Sequence, residues 1–144
     1  MRWILIILTS FICISCSHVK NYENVHKDFI PTVKRFEKEA AKRGYHVDLS
    51  NAHIQYGSMI PLWGGYCNAW SRKIFVNPMM KGSPRSYLDT VIIHELGHCA
   101  FGMHHRRTDG ASLMSPRPDR IFWIDPWNKD YLDEFFSEEH FDEL

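Results

Sequence analysis

His94, Glu95, His98 and the pair His104-His105 constrain this chain more than any other feature. They lie in the stretch His94-Glu95-Leu96-Gly97-His98-Cys99-Ala100-Phe101-Gly102-Met103-His104-His105. On an α-helix, side chains four apart stand one turn on, roughly 40° out of line, so His94 and His98 share a face. Two neutral imidazoles so placed can hold one tetrahedral zinc at about 2.0–2.1 Å each. Glu95 lies beside them and can take a proton from water activated by the metal. A straight helix would carry position 105 roughly 10 Å past His98, so the chain must turn back to supply a further ligand. Gly102 is where it can, because glycine enters the left-handed conformation that ends a helix without a Cβ clash. The run therefore demands a helix, a reversal at Gly102 and a histidine on the returning chain.

In these residues the sequence resembles the metzincin zinc peptidases, whose signature is HExxHxxGxxH followed by a methionine turn. The match runs from His94 to Met114, with Ser112-Leu113-Met114-Ser115-Pro116 in the place of that turn. The chain is also similar to small bacterial envelope metallopeptidases written HELGHC…G-x-x-H, which carry a longer spacing. Phe101 stands where the metzincin pattern has its glycine, and Gly102 follows it. Counting from His98 gives His104 as third ligand; counting from Gly102 gives His105. The turn fixes the returning chain, while one residue before it merely extends the helix, so His105 is the expected ligand and His104 the alternative. Neighbours on an extended segment point to opposite sides, so one of the pair ligates. The resemblance implies a zinc-dependent endopeptidase acting on protein or peptide substrates. Its Zn2+ would be held by His94, His98 and His105, with Glu95 as general base.

The amino terminus has one positive charge, an apolar run of about a dozen residues and a small residue before a break, which are signal-peptide features. The run is short for a membrane-spanning helix, which needs about 20 apolar residues. Ile14-Ser15-Cys16 resembles the end of a bacterial lipoprotein signal, whose cysteine is acylated; a plain secretory signal is the alternative. Residues 1–16 are thus expected to be the signal and 17–144 one zinc metallopeptidase domain. The location expected is the bacterial cell envelope, through a lipid anchor on Cys16, or the exterior. Basic and acidic residues balance at 17 each, which argues against nucleic acid as a partner. Cys67 and Cys99 remain after signal removal in an exported chain, and an even pair there favours a disulfide. The rival, Cys99 as a zinc ligand, is opposed by its helical position roughly 100° from His98.

The remaining pattern predicts an α+β fold. A helix within 21–45 carries Val25, Phe29, Val33, Phe36 and Ala40 on one face, with Pro31 delaying its regular part. Alternation predicts strands at 45–49 and 53–56, and a hairpin with arms 66–70 and 74–77. Ser83 as cap and Pro84 at the first position open the active-site helix, whose apolar side is Leu88, Val91, Ile92, Leu96, Cys99 and Ala100. Asp109 is a candidate to orient a ligand histidine. A last helix is expected from Asp125 to about Phe136. The expected domain is a small twisted sheet packed on the N-terminal and active-site helices. A short C-terminal part with the methionine turn and last helix completes it. The competing function is a non-catalytic zinc-stabilised envelope lipoprotein, which would keep the histidines and have no need of Glu95.

Overall fold

The computed structural model describes residues 20–57, 64–106, 111–117 and 123–137. Helix α1 spans Ile30–Lys42 and α2 spans Arg85–Phe101. Strands β1 (His53–Tyr56), β2 (Gly65–Asn68) and β3 (Lys73–Val76) form a sheet with β3 central, parallel to β1 and antiparallel to β2. Helix α2 packs on β2 and β3, α1 lies against α2, and α3 (Lys129–Phe135) adds the C-terminal layer. The domain is α+β, with a small mixed sheet and three α-helices among the described residues.

Helix α1 follows from its apolar spacing: Phe29, Val33, Phe36 and Ala40 are all fully buried. Pro31 sits in its first turn, where a missing N–H leaves no intrahelical acceptor unsatisfied. Gly44 ends it at φ 87°, with Gly44 N–H on the Ala41 carbonyl and Tyr45 N–H on the Ala40 carbonyl at 3.1 and 3.0 Å. This capping corrects the expectation of a strand at 45–49, where none forms. Tyr45 is drawn onto the helix end, where its ring stacks on Phe136 and its hydroxyl donates to the Phe136 carbonyl. The Leu49 N–H donates to the Glu37 carboxylate at 2.7 Å. These backbone and side-chain groups are committed to helices, so alternation alone does not bring the segment into a ladder.

The hairpin forms, but its arms are 65–68 and 73–76 rather than 66–70 and 74–77. Asn68 ends the first arm by accepting the Ser71 N–H with its side chain, and Arg72 takes a positive φ of 51° in the turn. Ser83 is not a helix cap: α2 begins at Arg85 with Pro84 in the cap position and no side-chain cap bond. The last helix likewise starts late, at Lys129, because the Asn128 side chain accepts the Asp130 N–H. Within α2, Leu88, Val91, Ile92 and Leu96 are buried as expected, whereas Ala100 is exposed. Cys67 and Cys99 are joined by a disulfide, Cα atoms 5.6 Å apart, which fastens the hairpin to α2.

Gly97, in the last turns of α2, leaves room that Met114 fills. A Cβ there would stand 2.6 Å from Met114 Sδ and 3.1 Å from Phe135 Cε2. Met114 and Phe135 are themselves fully buried, so neither side chain has open space to retreat into. Gly97→Ala is therefore expected to cost stability: overpacking of roughly 1–3 kcal/mol outweighs a helix-propensity gain of about 1 kcal/mol. Thermal unfolding checks this, and a raised midpoint would refute the packing argument.

Candidate metal centre

Helix α2 presents His94 and His98 one turn apart, as the spacing requires. Gly102 then adopts the left-handed conformation (φ 68°, ψ 16°), and the Met103 N–H turns back to the Gly97 carbonyl at 3.0 Å. The reversal brings His105 onto the two helical histidines. His94 Nε2 lies 3.2 Å from His105 Nε2 and 3.2 Å from His98 Nε2. Ligands at about 2.0–2.1 Å on a tetrahedral centre are about 3.3–3.4 Å apart, so the separations match a shared ion. His94, His98 and His105 form a group that could hold a metal ion. His104 is exposed and is not a member of it.

The tautomers are fixed from behind. His94 Nδ1 donates to the Leu113 carbonyl at 2.7 Å, and His98 Nδ1 donates to the Met103 carbonyl at 2.6 Å. A carbonyl oxygen only accepts, so both Nδ1 atoms carry the proton and both Nε2 atoms offer lone pairs to the shared centre. Each carbonyl is itself placed by a turn. Met103 follows Gly102 directly. Leu113 sits in a turn closed by the Ser115 N–H on the Ser112 carbonyl, with the Met114 N–H on Ser112 Oγ. The Met114 carbonyl accepts the Arg106 N–H at 2.8 Å, which ties this turn to the chain just after His105.

Burial grades outward, with His94 buried, His98 half-buried and His105 exposed. Desolvation lowers the pKa of all three histidines, and takes His94 down to about 4. Neutral rings facing each other through lone pairs repel, and a cation placed among them removes that repulsion. Glu95 is also buried, and burial pushes its carboxyl up to about 7. Glu95 is outside the cluster of potential ligand atoms.

Sequence reasoning brought out the three histidines and Glu95, but not the two carbonyls that orient His94 and His98. Asp109, the candidate for that task, lies outside the described residues, as does Cys16. His46 and His53 stand apart from the cluster. Of the apolar run before α3, Ile124 is buried and Trp123 exposed, while positions 121 and 122 lie outside the described residues. No protein-family model, curated protein or solved structure matches this chain.

Two outcomes are expected for the metal. His94→Ala, His98→Ala and His105→Ala should each abolish stoichiometric binding, whereas His104→Ala should leave about one ion per chain by elemental analysis. Release of metal by His104→Ala alone would place the turn in the other register. Protons compete for a ligand only below its folded pKa, and burial has moved these values below the ordinary 6.5. Binding should hold from neutral pH through 6.5 and fail toward about 4, which a metal titration at stepped pH measures.

Proposed function

We propose that this chain is a zinc-dependent endopeptidase of the metzincin type. The observation that carries the reading is Glu95: a buried carboxylate next in sequence to the innermost ligand, packed against Gly65 of β2 and outside the ligand atoms. Among the described residues the cluster offers three ligands, and three protein ligands leave the open position of a catalytic site, whereas structural zinc sites are closed by four. An all-imidazole set with tetrahedral separations suits zinc. When bound, zinc supplies Lewis acidity, polarising a carbonyl and lowering the pKa of water toward about 7. Glu95 accepts the proton of the attacking water at its carboxylate and passes it to the leaving amine nitrogen.

The sheet suggests how a peptide approaches. The outer side of β1 is already paired, since the Ile54 N–H donates to the Asn24 carbonyl and the His26 N–H to the Ile54 carbonyl. Strand β2 is the other edge. Its register places the Asn77 N–H on the Gly64 carbonyl, so alternation turns the backbone groups of Gly65 and Cys67 away from β3. Gly65 lies beside the stem of Glu95, and an extended substrate adding to β2 would bring its backbone past the base.

Export to the bacterial envelope, with Cys16 as a lipid anchor, completes the proposal. The disulfide is the chemistry of an oxidising compartment. Among the described residues no helix is long and apolar enough to cross a membrane.

The zinc-stabilised module without catalysis draws on one observation: the two helical ligands are bonded to core carbonyls, so an ion would brace the fold. Glu95→Gln separates the two readings. It should keep the fold and about one zinc per chain, while peptide hydrolysis falls roughly 10²–10⁴-fold, the general-base contribution. A demonstrated activity that survives Glu95→Gln would end the proposed mechanism.

A further inference from the structure

We propose that the solvent face of α1 docks on an anionic lipid surface, with Lys34, Arg35, Lys38 and Lys42 as its contacts. The chain as a whole is neutral, with 17 basic and 17 acidic residues, but this helix sorts its charges. At about 100° per residue the four basic side chains fall within an arc of roughly 100°, and all four are exposed. Glu37 and Glu39 lie outside that arc, one on either side of it, and are engaged within the domain. Glu37 accepts from Lys20 Nζ, the Tyr22 hydroxyl and the Leu49 N–H. Glu39 accepts from Lys42 and Arg43. Lys42 keeps 56% of its side chain exposed in that pair, and exposed pairs of this kind are weak. The outward arc of α1 therefore presents positive charge alone.

The tether says what that charge meets. Beside the basic arc an open cleft runs between α1 and residues 46–48, with Lys20, Lys34, Lys38 and His46 along it. Its two carboxylates, Glu37 and Asp48, pair with Lys20 at 3.0 and 3.3 Å. Lys20 stands four residues after Cys16. On the lipid-anchor reading, on which this inference rests, the bilayer is then at most about 14 Å of chain from Lys20. The tether thus ends at the basic face. An acyl chain and a basic patch act together in membrane binding, and each Lys or Arg near an anionic surface strengthens it roughly fivefold. The anchor sets the distance, and the face of α1 sets the orientation. Val25, on the chain entering α1, bridges to Ile54 of β1, while β2 is the opposite edge of the sheet. With α1 against lipid, the edge proposed to take substrate is kept off the bilayer.

Residues 17–144 hold every described element and carry no lipid, so their sedimentation with vesicles reads the face without the anchor. Mixed phosphatidylglycerol–phosphatidylcholine vesicles should bind this chain at low salt, and phosphatidylcholine alone should not. Salt at about 1 M, where the Debye length is roughly 3 Å, should release it. Lys34→Gln/Lys38→Gln/Lys42→Gln should weaken binding roughly 10²-fold while the fold and zinc content are kept. Lys73→Gln/Lys81→Gln/Lys129→Gln removes the same charge from other elements and should bind like wild type. Equal weakening by the two variants overturns the proposal, as does equal binding to neutral vesicles or none to anionic ones. Binding that appears only once residues 138–144 are removed assigns the face to the four acidic residues of that end, and overturns the proposal too. If the first variant does not fold, the wild type's preference for anionic vesicles and its release by salt decide. A full-length chain that gains no lipid on Cys16 removes the anchor reading alone, and vesicle binding by 17–144 still decides the face.

Discussion

The burial of α2 is the constraint from which the rest of the molecule follows. Ten consecutive residues of that helix, Leu88 to Gly97, are buried, and four of them carry polar side chains. A polar group taken out of water without a partner costs roughly 1–3 kcal/mol, so each of the four must be met from elsewhere in the chain. Asp89 accepts from Thr32 Oγ1 on α1 and from Trp127 Nε1, and pairs with Arg85. Thr90 donates to the Ser86 carbonyl one turn back. His94 is met by the turn at 112–115, and the stem of Glu95 lies against Gly65 of β2. Among the described residues no buried side-chain nitrogen or oxygen is left without a hydrogen bond. The layers around α2 are therefore set by its polar residues as much as by its apolar ones.

This division explains what could be read in the sequence. The apolar spacing of α1, the hairpin, the helix through the HExxH run and the Cys67–Cys99 pair were legible because each depends on residue type at a fixed spacing. The reversal at Gly102 was legible for the same reason, and it brings His105 to His94 and His98. The strand expected at 45–49 fails because the helix cap at Gly44 takes the Tyr45 N–H, and Phe136 and Glu37, distant in sequence, claim the Tyr45 ring and the Leu49 N–H. Ser83 has the side chain of a cap, but the helix begins two residues later. The orienting partners of His94 and His98 were hidden for a simpler reason. They are backbone carbonyls, which every residue has, so no letter in the sequence marks Leu113 or Met103 for the task.

Met114 shows how packing and chemistry share one turn. Its side chain fills the space above Gly97, while the carbonyl of the preceding Leu113 fixes His94. A change in how Met114 packs moves the acceptor that sets the first ligand's tautomer. Interiors are close-packed, so such shifts are passed on rather than absorbed. The glycine at 97 and the methionine at 114 thus belong to the site although neither side chain has a lone pair aimed at the shared centre.

The same wiring decides which observations separate an enzyme from a zinc-braced module. Any ion that binds only the folded chain stabilises it, by about 4 kcal/mol at a thousandfold excess over its dissociation constant. Stabilisation by metal is therefore common to both readings and discriminates neither. Glu95 differs in kind. A structural role would be served as well by an apolar residue packed against Val91 and Gly65, and burying a carboxylate there is costly unless its charge has a use. Burial raises the Glu95 carboxyl above the usual carboxylate range. A carboxylate kept in so unfavourable a place, one residue from the innermost histidine, is the residue type an acid–base step requires.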